Sequence, residues 1–175
     1  ARVAIVGAGG IGFDVAEFLV EQQPSPTTDV ARWTREWGVD MQLARRSGLA
    51  PPQPEAPLRQ VWLLQRSAGR PGARLNKTTG WVHRATLKAK RVTMLGNVAY
   101  ERFDDQGLHI SVDGQPQLLP VDNVVICAGQ EPERRLADDL ASLGITAHLI
   151  GGADVAAELD AKRAIDQGTR LACRL

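Results

Sequence analysis

Three glycines at G-x-G-x-x-G spacing, Gly7, Gly9 and Gly12, lie in the stretch "RVAIVGAGGIGFDVAEFLV" near the start of a 175-residue chain. A β-branched apolar run precedes them and an amphipathic pattern follows. That context, a strand and then a turn and a helix, makes the spacing a dinucleotide-phosphate motif. Gly7 permits the tight turn, Gly9 lets a pyrophosphate approach the backbone, and Gly12 lets the helix pack closely on the strand. The helix start over Gly10, Ile11 and Gly12 aims unpaired N–H groups and a positive dipole end at the same point. The competing reading is a glycine-rich turn that binds nothing.

The end of the next strong strand selects the cofactor. An NAD site places Asp or Glu there, to accept from the ribose 2′-hydroxyl. Here the strand in "QVWLLQRSAGRPGAR" runs into Arg66, with Arg70 and Arg74 in the following loop and no acid among them. Guanidinium groups bind a phosphate bidentately, so these arginines point to the 2′-phosphate of NADP(H). A solvated basic loop is the alternative. Asp29 lies near the usual separation for an NAD-type acid but follows a proline-rich loop, so it is discounted.

Other chemistry-bearing residues are sparse. His83 falls inside a helical pattern, while His109 and His148 fall in strand-like sequence with no carboxylate or cysteine at ligand spacing. Cys127 and Cys173 are too few and too far apart for a four-thiolate zinc or iron–sulfur site. Each sits in apolar sequence as a small buried residue would. No Ser/His/Asp arrangement stands out, and no catalytic residue is nominated. A second candidate edge is Gly152-Ala153-Asp154, where "AHLIGG" reads as a strand ending in glycines before a last helix. It could approach an anion or a ribityl chain.

The elements that must position these groups follow from periodicity. Arg2–Val6 reads as a strand buried on both faces. The first helix puts Ile11, Val15, Phe18 and Leu19 on one face and stops near Gln23, before Pro24. Residues 24–57 form an excursion between proline-rich flanks, with Trp33, Trp37 and Met41 spaced four apart as on a short helix. It either decorates the surface or packs on a neighbouring domain. Val61–Leu64 is the second strand, and a helix capped by Thr78 or Thr79 follows. "RVTML" is the third strand. A β-meander then runs through the turns "DDQG" and "VDGQP", with Asn123–Cys127 as its last member. A short helix precedes Gly144, and the last helix turns Val155, Leu159, Ile165 and Leu171 toward the core. The predicted class is α/β: a doubly wound, Rossmann-like, mostly parallel sheet with helices on both faces and an antiparallel β-meander insert.

Composition excludes some partners. With 21 Lys+Arg against 20 Asp+Glu, no bulk field argues for nucleic acid or a membrane surface. Asp14, Glu17 and other polar residues interrupt every apolar run before membrane-spanning length. No signal-peptide pattern is present, and low cysteine usage points to a reducing cytoplasm. The chain opens one residue before its first strand, which suggests a piece of something longer.

The runs "VGAGGIGFDVAEFL", "EWGVD", "LLQR", "KTTGWVHR", "VDNVVICAGQEP" and "HLIGGADVAAELDAKRAIDQGTRLA" together resemble the carboxyl-terminal part of bacterial 2,4-dienoyl-CoA reductases. The resemblance covers essentially the whole chain and includes the excursion. Such enzymes are NADPH-dependent flavoproteins of unsaturated fatty-acid β-oxidation. They join a β/α barrel with FMN and an iron–sulfur cluster to an FAD domain interrupted by an NADPH domain. The resemblance implies that residues 1–130 are the NADPH domain and 131–175 the returning segment of the FAD domain. It assigns Gly7, Gly9 and Gly12 to the pyrophosphate, and Arg66 and Arg70 to the 2′-phosphate. The loop holding Ala128, Gly129 and Gln130 falls where the two nucleotide domains meet, and Asp154, beside Gly152, falls near the FAD ribityl chain. Barrel, cluster cysteines and the FAD glycine loop would lie upstream. The chain alone is then expected to be inactive toward acyl-CoA, to need the rest of its FAD domain to hold FAD, and to have that domain and the FMN barrel as partners. Two alternatives stay open: a related flavoprotein of the enoate reductase or amine dehydrogenase type, and a docking module with a vestigial dinucleotide fold.

Overall fold

Strand β1 (Arg2–Val6) buries Val3, Ala4 and Ile5 in succession. Three adjacent side chains can be buried together only if both faces of the strand are covered. The computed structural model describes residues 1–157 and 160–175. In it β1 is an inner strand of a parallel sheet, ordered β3-β2-β1-β7, with β2 at Gln60–Leu64, β3 at Thr93–Leu95 and β7 at Asn123–Ile126. Val6 pairs with Leu64 of β2 on one side and with Ile126 of β7 on the other. The sequence reading made Asn123–Cys127 the last strand of the meander. Instead β7 pairs with β1, because its run of Val124, Val125 and Ile126 suits a parallel strand and the edge of β1 is there to receive it.

Alternate residues feed two cores. Val3, Ile5, Val61 and Leu63 pack with Phe13, Ala16, Val20 and Leu87 from helices α1 (Gly10–Val20) and α3 (Gly80–Ala89). Ala4, Trp62 and Leu64 pack on Val98, Leu108, Ile110 and Leu119 from an antiparallel sheet of β4 (Val98–Asp104), β5 (Gly107–Val112) and β6 (Gln115–Leu119). The doubly wound α/β class holds, with one correction. The second face is covered by the meander, and no helical residue belongs to that core among the described residues. The meander's apolar side does the work a crossover helix would do.

Helix α1 is rotated from the predicted face. Ile11 is 54% exposed and Phe18 69%, whereas Gly12, Phe13, Ala16 and Val20 are buried and Val15 and Leu19 pack against them. Gly12 sets this rotation, because it must lie at the closest approach to β1; at 3.6 residues per turn, Ile11 and Phe18 then turn outward. The helix also ends at Val20, three residues short of Gln23. At α3, Thr79 is the capping residue but its side chain makes no capping bond, and the Thr78 hydroxyl donates instead to Asn76 Oδ1 at 2.6 Å.

The excursion contains α2 (Val30–Trp37), capped by the Asp29 carboxylate on Arg32 N at 3.0 Å and closed by Gly38 in the left-handed region. Asp29 is thus a helix cap. Trp33 and Trp37 stack obliquely with centroids 6.4 Å apart, while Met41 lies beyond the helix and is exposed. The segment is fastened to the domain. Glu36 forms a buried ion pair with Lys90, and Leu58 N donates to Val20 O at 3.0 Å.

Two units emerge, Ala1–Ala128 and Gly129–Leu175. The second contains α4 (Arg135–Ser142), a 3-10 turn at Gly151–Ala153 and α5 (Ala161–Ala172). The strand predicted in "AHLIGG" is absent. Ile150 has extended backbone, at φ −136° and ψ 162°, but among the described residues no strand lies alongside to satisfy its ladder groups. Helix α5 starts after Asp160, whose carboxylate accepts from Arg163 N at 2.7 Å, so Val155 lies outside it. Val155 and Ile165 are exposed, and the predicted core face is not buried, since so small a unit has little interior. Leu159 lies outside the described residues.

Candidate dinucleotide site

The carboxyl ends of β1, β2 and β7 converge on Gly7. Its φ is +113°, a conformation that side chains disfavour, and its N–H donates to Leu64 O at 2.8 Å. A Cβ here would lie 2.5 Å from Cys127 O and 3.0 Å from Ala128 N. The chain continues from β1 to β2 on one side, and β7 arrives on the other. This is the switch point outside the strand ends where α/β sheets hold ligands.

Gly9 precedes α1 and no side chain caps the helix there. A Cβ on Gly9 or Gly10 would meet nothing within 4 Å. A Cβ on Gly12 would collide with the carbonyl oxygen of Gly7. Gly12 therefore serves packing, while open space surrounds the first turn of α1, with Ile11 at its exposed edge. That cradle, with its N-terminal N–H groups, fits a diphosphate.

Arg66 and Arg70 are exposed in the loop after β2, one strand over from Gly7. The loop is braced from two directions. Gln65 Nε2 donates to Ser67 O at 3.0 Å and to Gly69 O at 3.3 Å. Asn97 N donates to Ser67 O at 3.0 Å, and Gly96 passes so close to Gly69 O that a Cβ on it would collide. Gln65 went unnoticed in the sequence; its only signal is a side-chain amide at the strand end, where an acid would sit in an NAD site. Tyr100 on β4 also lies within the field of Arg66. Burial pushes the Tyr100 phenol up, and the Arg66 charge partly offsets this.

Ala128 is exposed beside the glycine turn in the first unit. Gly129, at φ +84°, and Gln130 are exposed at the start of the second. Gly152 and Asp154 belong to the second unit, in and after the 3-10 turn. There the Asp154 carboxylate accepts from Gln167 Nε2 at 2.8 Å, and Arg134 Nε donates to Ala153 O at 2.9 Å. Cys127 is half-buried, and burial pushes its thiol up, away from the reactive thiolate.

Two of the three histidines have carboxylate partners. His83 Nδ1 lies 2.8 Å from Glu17 Oε1. His109 does have a carboxylate, contrary to the sequence reading: the β4–β5 hairpin brings Asp104 to 2.9 Å of its Nε2. Arg102 and then His109 hold the Asp104 carboxyl down at about 2. His148 lies outside any strand. Among the described residues no group of three or more His, Cys, Asp or Glu could hold a metal, and no helix is long and apolar enough to cross a membrane.

Comparison with solved structures shows the same fold in a 2-naphthoyl-CoA reductase solved with 2-naphthoyl-CoA. The TM-score is 0.61 and identity 18%, over 95% of this chain and 20% of that one. A bacillithiol disulfide reductase from Staphylococcus aureus aligns at TM-score 0.47 and 14% identity, over 75% of this chain and 30% of that one. An engineered water-forming NADPH oxidase bound to NADPH aligns at 0.43 and 21%, over 79% and 23%. The chain thus spans less than a third of the length of these structures. The family described as pyridine nucleotide-disulphide oxidoreductase matches residues 1–162. That match marks a dinucleotide-binding domain of a redox enzyme, in a family whose cofactors are FAD and NAD(P).

Proposed function

The chain belongs to the pyridine nucleotide-disulphide oxidoreductase family, and from this premise we propose that it is the NADPH-binding portion of a flavoprotein of the 2,4-dienoyl-CoA reductase type. The observation that carries the choice of NADPH is the end of β2. Arg66 and Arg70 stand in a braced loop without an acid, one strand from the open glycine turn.

In this reading the first-turn N–H groups of α1 and the turn at Gly7 and Gly9 hold the pyrophosphate. Arg66 and Arg70 hold the 2′-phosphate, which is the feature separating NADPH from NADH. Ala128, beside the glycine turn, borders the approach to the nicotinamide. When bound, NADPH supplies a hydride; the residues of this chain bind and orient it. Gly152 and Asp154 belong to residues 131–175, the returning part of an FAD domain, where Asp154 would meet the ribityl chain in exchange for its bond to Gln167. FMN, an iron–sulfur cluster and the acyl-CoA site are assigned to the rest of the parent polypeptide.

Calorimetric titration of the chain with NADPH and NADH tests the reading. NADPH binds at least about tenfold more tightly, since a charge-assisted bidentate contact is worth roughly 1.5–3 kcal/mol. Arg66→Glu removes that preference. Equal affinity for the two nucleotides would sink the 2′-phosphate assignment. The sequence of the native gene product tests the parent: an upstream barrel and cysteine cluster support the dienoyl-CoA reductase type, and their absence removes it.

A further inference from the structure

The excursion of residues 24–57, unused by the dinucleotide site, lies over α1 and α3 and forms with them a half-open cleft of about 640 Å³. This is within the size range of small-molecule pockets. Its lining is mainly apolar, with Val20, Val82, Ala85 and Ala89 from the two helices. Two pairs of side chains stand out. Trp33 and Trp37, one turn apart on α2, present two indole rings. Glu17 on α1 and Glu21, the residue that closes it, present two carboxylates.

The charges in the wall favour one sign of ligand. Lys90 lines the cavity and is buried, but Glu36 neutralises it in an ion pair, and its ammonium also donates to Glu55 O at 3.4 Å. The buried positive charge is thus already matched. Thr86 spends its hydroxyl on Val82 O at 3.1 Å within α3. Glu17 is met by His83 at 2.8 Å, and Glu21 accepts from Ser25 Oγ at 2.6 Å. A carboxylate has about four lone-pair sites, so each retains acceptor capacity. Lys88, exposed at the rim, opposes them only from the solvent side. Carboxylates and indole rings lining one mainly apolar cleft are the combination that recognises an organic cation.

We propose that this cavity is a binding site for a small organic cation with an apolar body, of the alkylammonium class. The apolar body fills the space above Val20 and Ala85. The cationic head lies between the Trp33–Trp37 pair and the Glu17–Glu21 pair. The site is separate from the glycine turn, so its occupancy does not depend on nucleotide.

Calorimetry of the full chain with hexyltrimethylammonium and with hexanoate, which match in apolar length, tests the charge argument. The cation binds saturably at one site, and hexanoate binds at least about tenfold more weakly. Glu21→Gln and Trp33→Leu each weaken the cation by about tenfold and leave NADPH affinity unchanged. Circular dichroism checks the fold of both variants, and Glu21→Gln is the conservative change should Trp33→Leu lose structure. Hexanoate binding as tightly as the cation, absence of saturable cation binding, or unchanged cation affinity in folded Glu21→Gln each overturns the proposal.

Discussion

The side-chain amide of Gln65 donates to the backbone carbonyl of Ser67 at 3.0 Å, across the two residues that flank Arg66. With its second bond to Gly69, it fixes the path of the loop that carries Arg66 and Arg70. Gln65→Ala is expected to weaken NADPH binding by about two- to tenfold, the equivalent of one ordinary hydrogen bond, and to leave NADH unchanged. The measured quantity is the ratio of the two dissociation constants. A loss shared equally by both nucleotides would mean that Gln65 serves the fold and not the loop.

Gly9 and Gly12 are expected to separate binding from stability. Gly12→Ala drives a methyl group into the carbonyl of Gly7 and should cost about 1–3 kcal/mol or more in urea unfolding. Gly9→Ala meets no protein atom within 4 Å, so the thermal midpoint should hold while nucleotide affinity falls. A Gly9→Ala protein that binds NADPH normally would show that the ligand does not approach this turn.

Two carboxylates make stability acid-sensitive. Arg2 bonds hold Asp122 at about 2 against an ordinary 3.8, through the guanidinium first and the backbone N–H second. Asp104 is held at about 2 by Arg102 and His109. A depressed carboxylate stabilises the fold fully above its ordinary value and loses that contribution as pH falls through the depressed one. Denaturant midpoints should therefore drop between about pH 4 and pH 2. Asp122→Asn should flatten that part of the profile, and an unchanged slope would remove Asp122 from the account.

The buried pair Glu36–Lys90 fastens the excursion to the end of α3, with the two residues 9% and 5% exposed. Removing one partner leaves a buried charge alone, so Glu36→Gln or Lys90→Met should cost about 3–5 kcal/mol. Replacing both by Met should recover most of that loss, since two apolar side chains carry no desolvation penalty. A double-mutant cycle by urea unfolding measures the coupling. Additive losses would show that the pair contributes only through its separate packing.

The glycine turn was legible because Gly7 and Gly12 answer local steric demands, and with Gly9 they make a spaced pattern between two clear periodicities. The second strand was legible from its continuous apolar run, and the place of Arg66 and Arg70 in the loop after it followed. The rotation of α1 was not, because it depends on the approach of Gly12 to Gly7 and not on which face of the helix is more apolar. The fate of Asn123–Ile126 was not legible either: the same four residues can end a meander or flank β1, and only the free edge of β1 decides. "AHLIGG" has strand composition, but a strand requires a neighbour, and composition does not reveal one. The pairing of His109 with Asp104 required the hairpin register, which places them together across a turn.

The position of β1 between β2 and β7 bears on how the protein is made. Arg2 and Asp122, which join the starts of these strands, are 120 residues apart in the chain. During synthesis β1 emerges well before β7, so one of its edges stays open until β7 follows. Through that interval an apolar ribbon centred on Val3, Ala4 and Ile5 presents unpaired N–H and C=O groups. A nascent chain stalled before residue 123 therefore exposes a template for strand addition by another extended apolar segment.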